Sequence, residues 1–503
     1  MFTVCANLLR SVLSFVTGML LARSLGPNSY GNMAFLLGTF VAIRQILDMG
    51  SSTAFYTFMS QRPQSRRFVN LFFGWLGVQF LVPLCVVGLM FPAAWVDVVW
   101  HGQKRDVVLL AFAAAFMQNS LWPVVQQLCE SRRQTLWAQS VGIVVVASHL
   151  VAVILLWLFG ALGLRAVFAA IAFEYVVAAV VIHKWLPAPV VSESSARPVA
   201  LESVLKLFAR YCLPLIPYTW IGFAYEFADR WLLQNYGGSV QQAYYAVSAQ
   251  FTGIALIATS SILNIFWKEI AEAHHNANHA RTQMLYRRIS RILFLVGAII
   301  AGFLSPWAEE LLRLILNVAY VGGTSTLVVM FLYPIHQSMG QIGGTMLYAT
   351  ERVSLQVTIG IVFMVLSMAV TYLVLAPANA KVPGLGLASE GLAFKMVGMQ
   401  IIQANIVAYI IARMWKWRFD WVYQPVSLFG CLALGWFAHR AALDVAGNLL
   451  PVPAVMAIGG LLYLILISVF VYALPWLAGS TRMEIVQEAN MMLRKGIAGF
   501  GSP

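Results

Sequence analysis

Apolar stretches of 18 residues or more recur from one end of this 503-residue chain to the other. Each is long enough to cross a hydrocarbon core of about 30 Å as a helix. In order they fall near 5–23, 32–57, 70–92, 107–129, 138–162, 165–186, 206–233, 243–270, 289–316, 324–349, 354–376, 390–414, 423–443 and 452–478. That pattern predicts an all-α polytopic membrane protein with about 14 transmembrane helices. The runs are too long for barrel strands and lack their ten-residue alternation, so each must satisfy its backbone internally, as a helix. Hydrophobic residues make up 60% of the chain and charged residues 10%, with a mean hydropathy of +0.79. A soluble domain carries about 25% charged residues, and no soluble fold could bury this much apolar surface.

The net charge of +13 does not point to nucleic acid, because the basic residues are spread over short loops between apolar runs. With both termini placed in the cytoplasm, 21 of the 32 Lys and Arg residues fall in cytoplasmic loops and 7 on the other side. A three-to-one bias over many loops is the positive-inside pattern. It places the chain in a bacterial inner (cytoplasmic) membrane with both ends cytoplasmic. Cys5, Cys85, Cys129, Cys212 and Cys431 lie in or beside apolar runs without a CxxC pair, as small core residues do. No cleavable signal peptide is expected, since Arg10 interrupts the first run.

The segment Pro187-Ala-Pro-Val-Val-Ser-Glu-Ser-Ser-Ala-Arg-Pro198 has the composition of a solvated linker, here taken as 187–205. No loop is much longer than about twenty residues, which leaves no room for a soluble catalytic domain, and no phosphate loop, nucleophile elbow or metal-ligand spacing is present. The chain is therefore expected not to be an enzyme and to need no cofactor and no metal. His149 and His336 read as hydrogen-bonded helix residues. Pro214 and Pro217 are expected to loosen the start of the seventh span. Residues 481–503 carry apolar positions at helical period and read as a cytoplasmic amphipathic tail. The first span ends Ala22-Arg23-Ser-Leu-Gly26-Pro-Asn-Ser-Tyr30-Gly31 and the seventh Asp229-Arg230-Trp-Leu-Leu-Gln-Asn-Tyr236-Gly237-Gly238. This faint echo suggests the internal duplication on which many transporters are built.

A charge at the bilayer centre costs at least about 2.5–3.5 kcal/mol, so embedded charges need partners or a wet cavity. The embedded bases are Arg10, Arg44, Arg230 and Lys395; the acids are Asp48, Glu174, Glu226 and Asp229. Arg44 with Asp48, and Glu226 with Arg230, stand four apart on one helix face. Such pairs either neutralise charge for packing or line a lumen. Arg10 and Lys395 have no acid nearby in sequence, which favours a water-filled lumen. The four acids are candidate sites for a coupling proton or sodium ion.

The first motif, followed by Ile46-Leu47-Asp48-Met49-Gly50, resembles the opening signature of polysaccharide-lipid flippases, which carry O-antigen or exopolysaccharide repeat units. These belong to the multidrug/oligosaccharidyl-lipid/polysaccharide superfamily. Leu213-Pro214-Leu-Ile-Pro217 with Asp229-Arg230, and Gly384-Leu-Gly386-Leu-Ala-Ser-Glu-Gly391, are similar to the family's later segments. Tyr244-Tyr245 departs from the pattern, standing where family members usually carry Gly-Tyr.

The resemblance implies two six-helix bundles, 1–186 and 206–416, with pseudo-two-fold symmetry. It adds two C-terminal helices over 417–480. It also implies that helices one, two, seven and eight line a cavity open alternately to each side. The implied cargo is an oligosaccharide on undecaprenyl pyrophosphate, moved from the cytoplasmic to the periplasmic leaflet. Arg10, Arg44, Arg230 and Lys395 would meet the pyrophosphate, and Tyr56, Tyr218, Tyr225 and Asn264 would contact the sugars. Partners implied are this lipid-linked substrate, membrane lipids, a proton or sodium ion, and a polymerase with export machinery. The rival readings are a cation-coupled multidrug exporter of the same superfamily and a membrane glycosyltransferase or polymerase.

Overall fold

A computed structural model describes residues 2–61, 64–185, 201–276, 278–447, 449–484 and 487. Among the described residues every regular element is helical. The α-helices are α1 Phe2–Asp48, α2 Ser51–Gln61, α3 Arg66–Cys85, α4 Ala93–Trp100, α5 Arg105–Phe116, α6 Trp122–Ser131, α7 Thr135–Leu158, α8 Leu164–Trp185 and α9 Leu201–Cys212. They continue as α10 Ile216–His275, α11 His279–Leu304, α12 Ala308–Ile315, α13 Thr324–Met330, α14 Tyr333–Ala349, α15 Val353–Leu375, α16 Ala388–Met414, α17 Tyr423–Ala446 and α18 Val452–Ala473.

The chain is a multi-pass membrane protein. Among the described residues ten helices are long and apolar enough to cross a membrane, or eleven if α11 and α12, bent by 68° at their junction, form one broken span. The ten include α1 once and do not include α10, so the expected fourteen is not confirmed. The first two expected spans lie on α1, and the seventh and eighth lie on α10. At 1.5 Å per residue, the 47 residues of α1 and the 60 of α10 run about 70 and 90 Å, well beyond one bilayer crossing. Each helix is broken once, at a glycine: Gly26 (φ 72°, ψ 167°) and Gly238 (φ 75°, ψ −179°). That backbone region is open essentially to glycine alone, and Pro27, directly after the first break, supplies no N–H to the helix. The two breaks share one conformation, so the echo between the halves is structural, in register at Gly26 and Gly238 rather than at the two Tyr-Gly pairs.

Pro214 falls in a 3-10 turn, Leu213–Leu215, and Pro217 is the second residue of α10. Leu201 to Leu205, assigned to the linker, are already helical in α9, where Glu202 and Lys206 pair at 2.6 Å across one turn. The rest of the linker lies outside the described residues, as does the tail beyond 484 except for 487.

The helices pack into two compact units. One comprises the chain up to Val247 with Ile361–Leu392; the other comprises Ser248–Gly360 and the chain from Ala393 onward. In the first, α1 packs on α5 and α7, and α5 and α7 pack on α8. An apolar core runs between α6, α7 and α8 through Trp122, Val125, Cys129, Ala138, Val145 and Ile182. In the second, α11 packs on α14 and α17, and α17 on α18.

Candidate transport site in the first unit

The arms of α1 and α10 approach each other closely because glycines stand where they touch. A Cβ on Gly31 would lie 1.7 Å from the carbonyl oxygen of Ser239, and one on Gly222 would lie 2.3 Å from Oε1 of Gln45. Next to Gly31, Asn32 Oδ1 accepts hydrogen bonds from Ser239 Oγ (2.7 Å) and Gln234 Nε2 (3.2 Å). The glycine motifs of the two halves are thus joined to each other.

Arg44 and Gln45 of α1 meet Glu226, Asp229 and Arg230 of α10 beside this junction. The Gln45 side chain hydrogen-bonds the Glu226 carboxylate, which also lies in the field of Arg230, Asp229 and Arg44. Asp229 is buried and accepts a 2.7 Å bond from Thr371 Oγ1 of α15. That hydroxyl also lies 2.8 Å from Ser367 O, so its single proton serves one of two acceptors. The Arg230 guanidinium lies over the ring of Tyr245, 5.3 Å from its centroid, and its stem runs past Gly38. Tyr245, the departure from the Gly-Tyr pattern, is buried and faces a cation. Two arginines against two carboxylates make a nearly neutral set, which lowers the cost of placing each charge within the membrane.

Asp48 does not form the expected pair with Arg44. Its Oδ1 accepts from Ser52 N (2.9 Å), Ser51 Oγ (3.0 Å) and Ser52 Oγ (2.6 Å). The carboxylate caps α2, whose first N–H groups have no partner within the helix. The positive φ of Met49 and Gly50 turns the chain between the two helices.

Arg10 belongs to a second cluster in the same unit. It donates to Asn7 Oδ1, crosses over Gly142 of α7 and lies in the field of Tyr175 and Glu130. Tyr175 Oη accepts from Gln118 Nε2 at 3.3 Å. On the neighbouring turn Glu174 meets His149 Nδ1 at 2.8 Å, both largely buried. The acids around Arg10 stand more than a hundred residues away in sequence, which is why it read as unpartnered. His149 is hydrogen-bonded as expected. His336, in the second unit, packs edge-on to Phe294 (5.3 Å) and its Nδ1 has no partner among the described residues.

Lys395 is buried in the second unit, with Nζ 3.9 Å from Met396 Sδ. The four bases named from sequence therefore occupy three separate surroundings, of which only Arg44 and Arg230 share one. Tyr56 and Tyr218 are exposed and Tyr225 is half-buried; the side chain of Asn264 lies outside what is described. Gln45 and Thr371 were missed. Their signal is an amide or hydroxyl inside an apolar run, and Ser367 with Thr371 repeats at one helical turn. Among the described residues no three His, Cys, Asp or Glu side chains gather closely enough to hold a metal ion.

Long kinked helices with an embedded cluster of opposite charges define a polytopic transporter fold. Solved structures agree. One described as "Lipid II flippase MurJ, inward closed conformation" superimposes with a TM-score of 0.70 at 12% identity, covering 94% of this chain and 99% of its own. An inward-facing multidrug resistance MATE family transporter of the MOP superfamily gives 0.65 at 15% identity, covering 81% and 96%. A MOP superfamily transporter from Pyrococcus furiosus gives 0.53 at 15%, covering 82% and 95%. At these identities the likeness establishes the fold. No curated protein sequence matches the chain. Residues 1–266 match the family described as "Polysaccharide biosynthesis protein", and the chain belongs to that family.

Proposed function

We propose that this chain is a flippase of the inner membrane. In this reading it moves undecaprenyl-pyrophosphate-linked oligosaccharide repeat units from the cytoplasmic to the periplasmic leaflet by alternating access, for surface or exopolysaccharide synthesis. Both termini are cytoplasmic, and the two halves 1–186 and 206–416 act as pseudo-symmetric bundles followed by the two helices of 417–480. The observation that carries the reading is the cluster of Arg44, Arg230, Glu226 and Asp229 in a chain of the polysaccharide biosynthesis family. A pyrophosphate needs free cations, and here both arginines are balanced by carboxylates.

Transport of such an anion is best served if protonation of the acids releases the arginines. The hydroxyl of Thr371 suits that exchange. It donates to an ionised Asp229; once Asp229 is protonated, the carboxyl donates instead and the hydroxyl turns to Ser367 O. A proton is therefore the favoured coupling ion and sodium the alternative. The aromatic side chains Tyr56, Tyr218 and Tyr225, with Asn264, are the proposed sugar contacts. Arg10 and Lys395 act as further cationic positions, with Asp48 and Glu174 the less favoured coupling acids. A polymerase and export machinery would take up the product.

Deletion of the gene in its host, with side-specific labelling of lipid-linked oligosaccharides, tests this. Accumulation on the cytoplasmic leaflet, reversed by the intact gene, supports it. Normal export with altered drug tolerance would instead favour a cation-coupled multidrug exporter, which the acids of the same cluster would serve. Unextended glycans on the outer side would favour the polymerase reading.

A further inference from the structure

The second unit holds a basic and aromatic cavity that the proposed transport site does not use. It has a volume of about 380 Å³ and lies among α11, α16 and the connection to α17. At its mouth Asp420 Oδ2 takes two arginines at once: Arg291 through Nη2 (2.7 Å) and Nε (2.8 Å), and Arg287 through Nε (3.2 Å). Arg291 is buried, donates to Trp476 O and lies against the rings of Tyr423 and Trp476 at 5.3 and 5.6 Å. One carboxylate thus balances two guanidinium groups. Arg418, also lining the cavity, forms no hydrogen bond or ion pair among the described residues, and the Nη atoms of Arg287 are likewise unengaged. Deeper in, the lining turns apolar at Met339, Ala408 and Ala412, with Trp417 and Phe419 at the side.

These features belong to a headgroup pocket. Excess positive charge is held at the mouth, apolar surface lies behind it, and the aromatic rings of Trp417 and Phe419 flank it, as at a membrane interface. The loops that form it carry the Lys and Arg excess by which the cytoplasmic side was assigned. We propose that this cavity binds the phosphate headgroup of an anionic phospholipid from the cytoplasmic leaflet. Arg287 and Arg418 bind the phosphate, while Asp420, itself anchored by Arg291, holds Arg287 in place. The lipid would be a bound structural partner of the second unit, separate from the transported cargo.

The test uses full-length, delipidated protein in neutral detergent, with bound lipid counted by native mass spectrometry. It is titrated with phosphatidylglycerol, phosphatidylcholine or inorganic phosphate. Phosphatidylglycerol is expected to bind well ahead of phosphatidylcholine. Each lost guanidinium should weaken it about fivefold, so that Arg287→Gln with Arg418→Gln falls about 25-fold. Arg413→Gln, on the same face but outside the cavity, should stay within about twofold, since a screened surface charge contributes little. Arg418→Gln alone alters an exposed side chain and keeps the test valid if the double variant folds poorly. Equal binding by wild type and Arg418→Gln would overturn the proposal. So would equal binding of the two lipids, or inorganic phosphate abolishing lipid binding at comparable concentration.

Discussion

Replacing Gly31 by alanine should separate the two glycine-broken helices at the point where they touch. The added Cβ would fall 1.7 Å from Ser239 O and 2.6 Å from Ser239 C, both backbone atoms that no rotamer change can move. An ordinary contact needs about 3.5 Å, so the arms must part by nearly 2 Å. Overpacking of this kind costs about 1–3 kcal/mol, and often more when backbone must move. The bonds from Ser239 and Gln234 to Asn32 would stretch as well, at about 1 kcal/mol each. Better helix propensity returns at most about 1 kcal/mol. The net loss is about 2–4 kcal/mol, on the order of 2–4 °C in unfolding temperature for a chain of 503 residues. The assay is thermal unfolding of the purified protein in detergent, with Gly74→Ala of α3 as control, because a Cβ at Gly74 meets nothing within 4 Å. A Gly31→Ala protein as stable as Gly74→Ala would refute the close approach of α1 and α10.

Four further outcomes are expected. Gly238→Ala, which forces an alanine into a glycine-only conformation, should lose about 1–3 kcal/mol by the same assay, whereas Gly253→Ala, with no neighbour within 4 Å, should lose none. Thr371→Val keeps its shape but removes the bond to Asp229, and should destabilise the protein by about 1.5–3 kcal/mol at neutral pH. Asp229→Asn and Glu226→Gln should reach the membrane normally yet lose dependence on an imposed proton gradient. Retained dependence in both would move the coupling ion elsewhere, with His149 and Glu174 the next pair to test. Arg10→Ala should insert normally but transport poorly, and full transport would remove Arg10 from the site.

Most of the fold was legible because a membrane allows so few backbone forms. Long apolar runs become helices, and embedded charges such as Glu226 and Arg230 stood out against them. What sequence could not supply was which distant residue each charge meets. Glu130 and Tyr175 reach Arg10 only through the packing of α7 on α1 and of α6 and α8 on α7, and Thr371 reaches Asp229 from α15. Asp48 misled for a local reason: four-residue spacing to Arg44 suggests a pair, but the next helix begins three residues later and its unpaired N–H groups compete for the carboxylate. The breaks at Gly26 and Gly238 fall between expected spans, because Gly, Pro and polar residues interrupt the apolar pattern there, although each helix continues through its break. Lys395 carried no sign that it belongs to the other unit.

The most direct test of the central claim is transport of a polyprenyl-pyrophosphate oligosaccharide in proteoliposomes, read by an impermeant glycan-modifying enzyme outside the vesicles. Wild-type protein should expose inner-leaflet substrate. Arg44→Gln and Arg230→Gln, each losing a charge-assisted contact of about 1.5–3 kcal/mol, should slow that exposure at least about tenfold with reconstitution unchanged. Substrate that stays protected with wild-type protein, or exposure at the wild-type rate in both variants, would contradict the account.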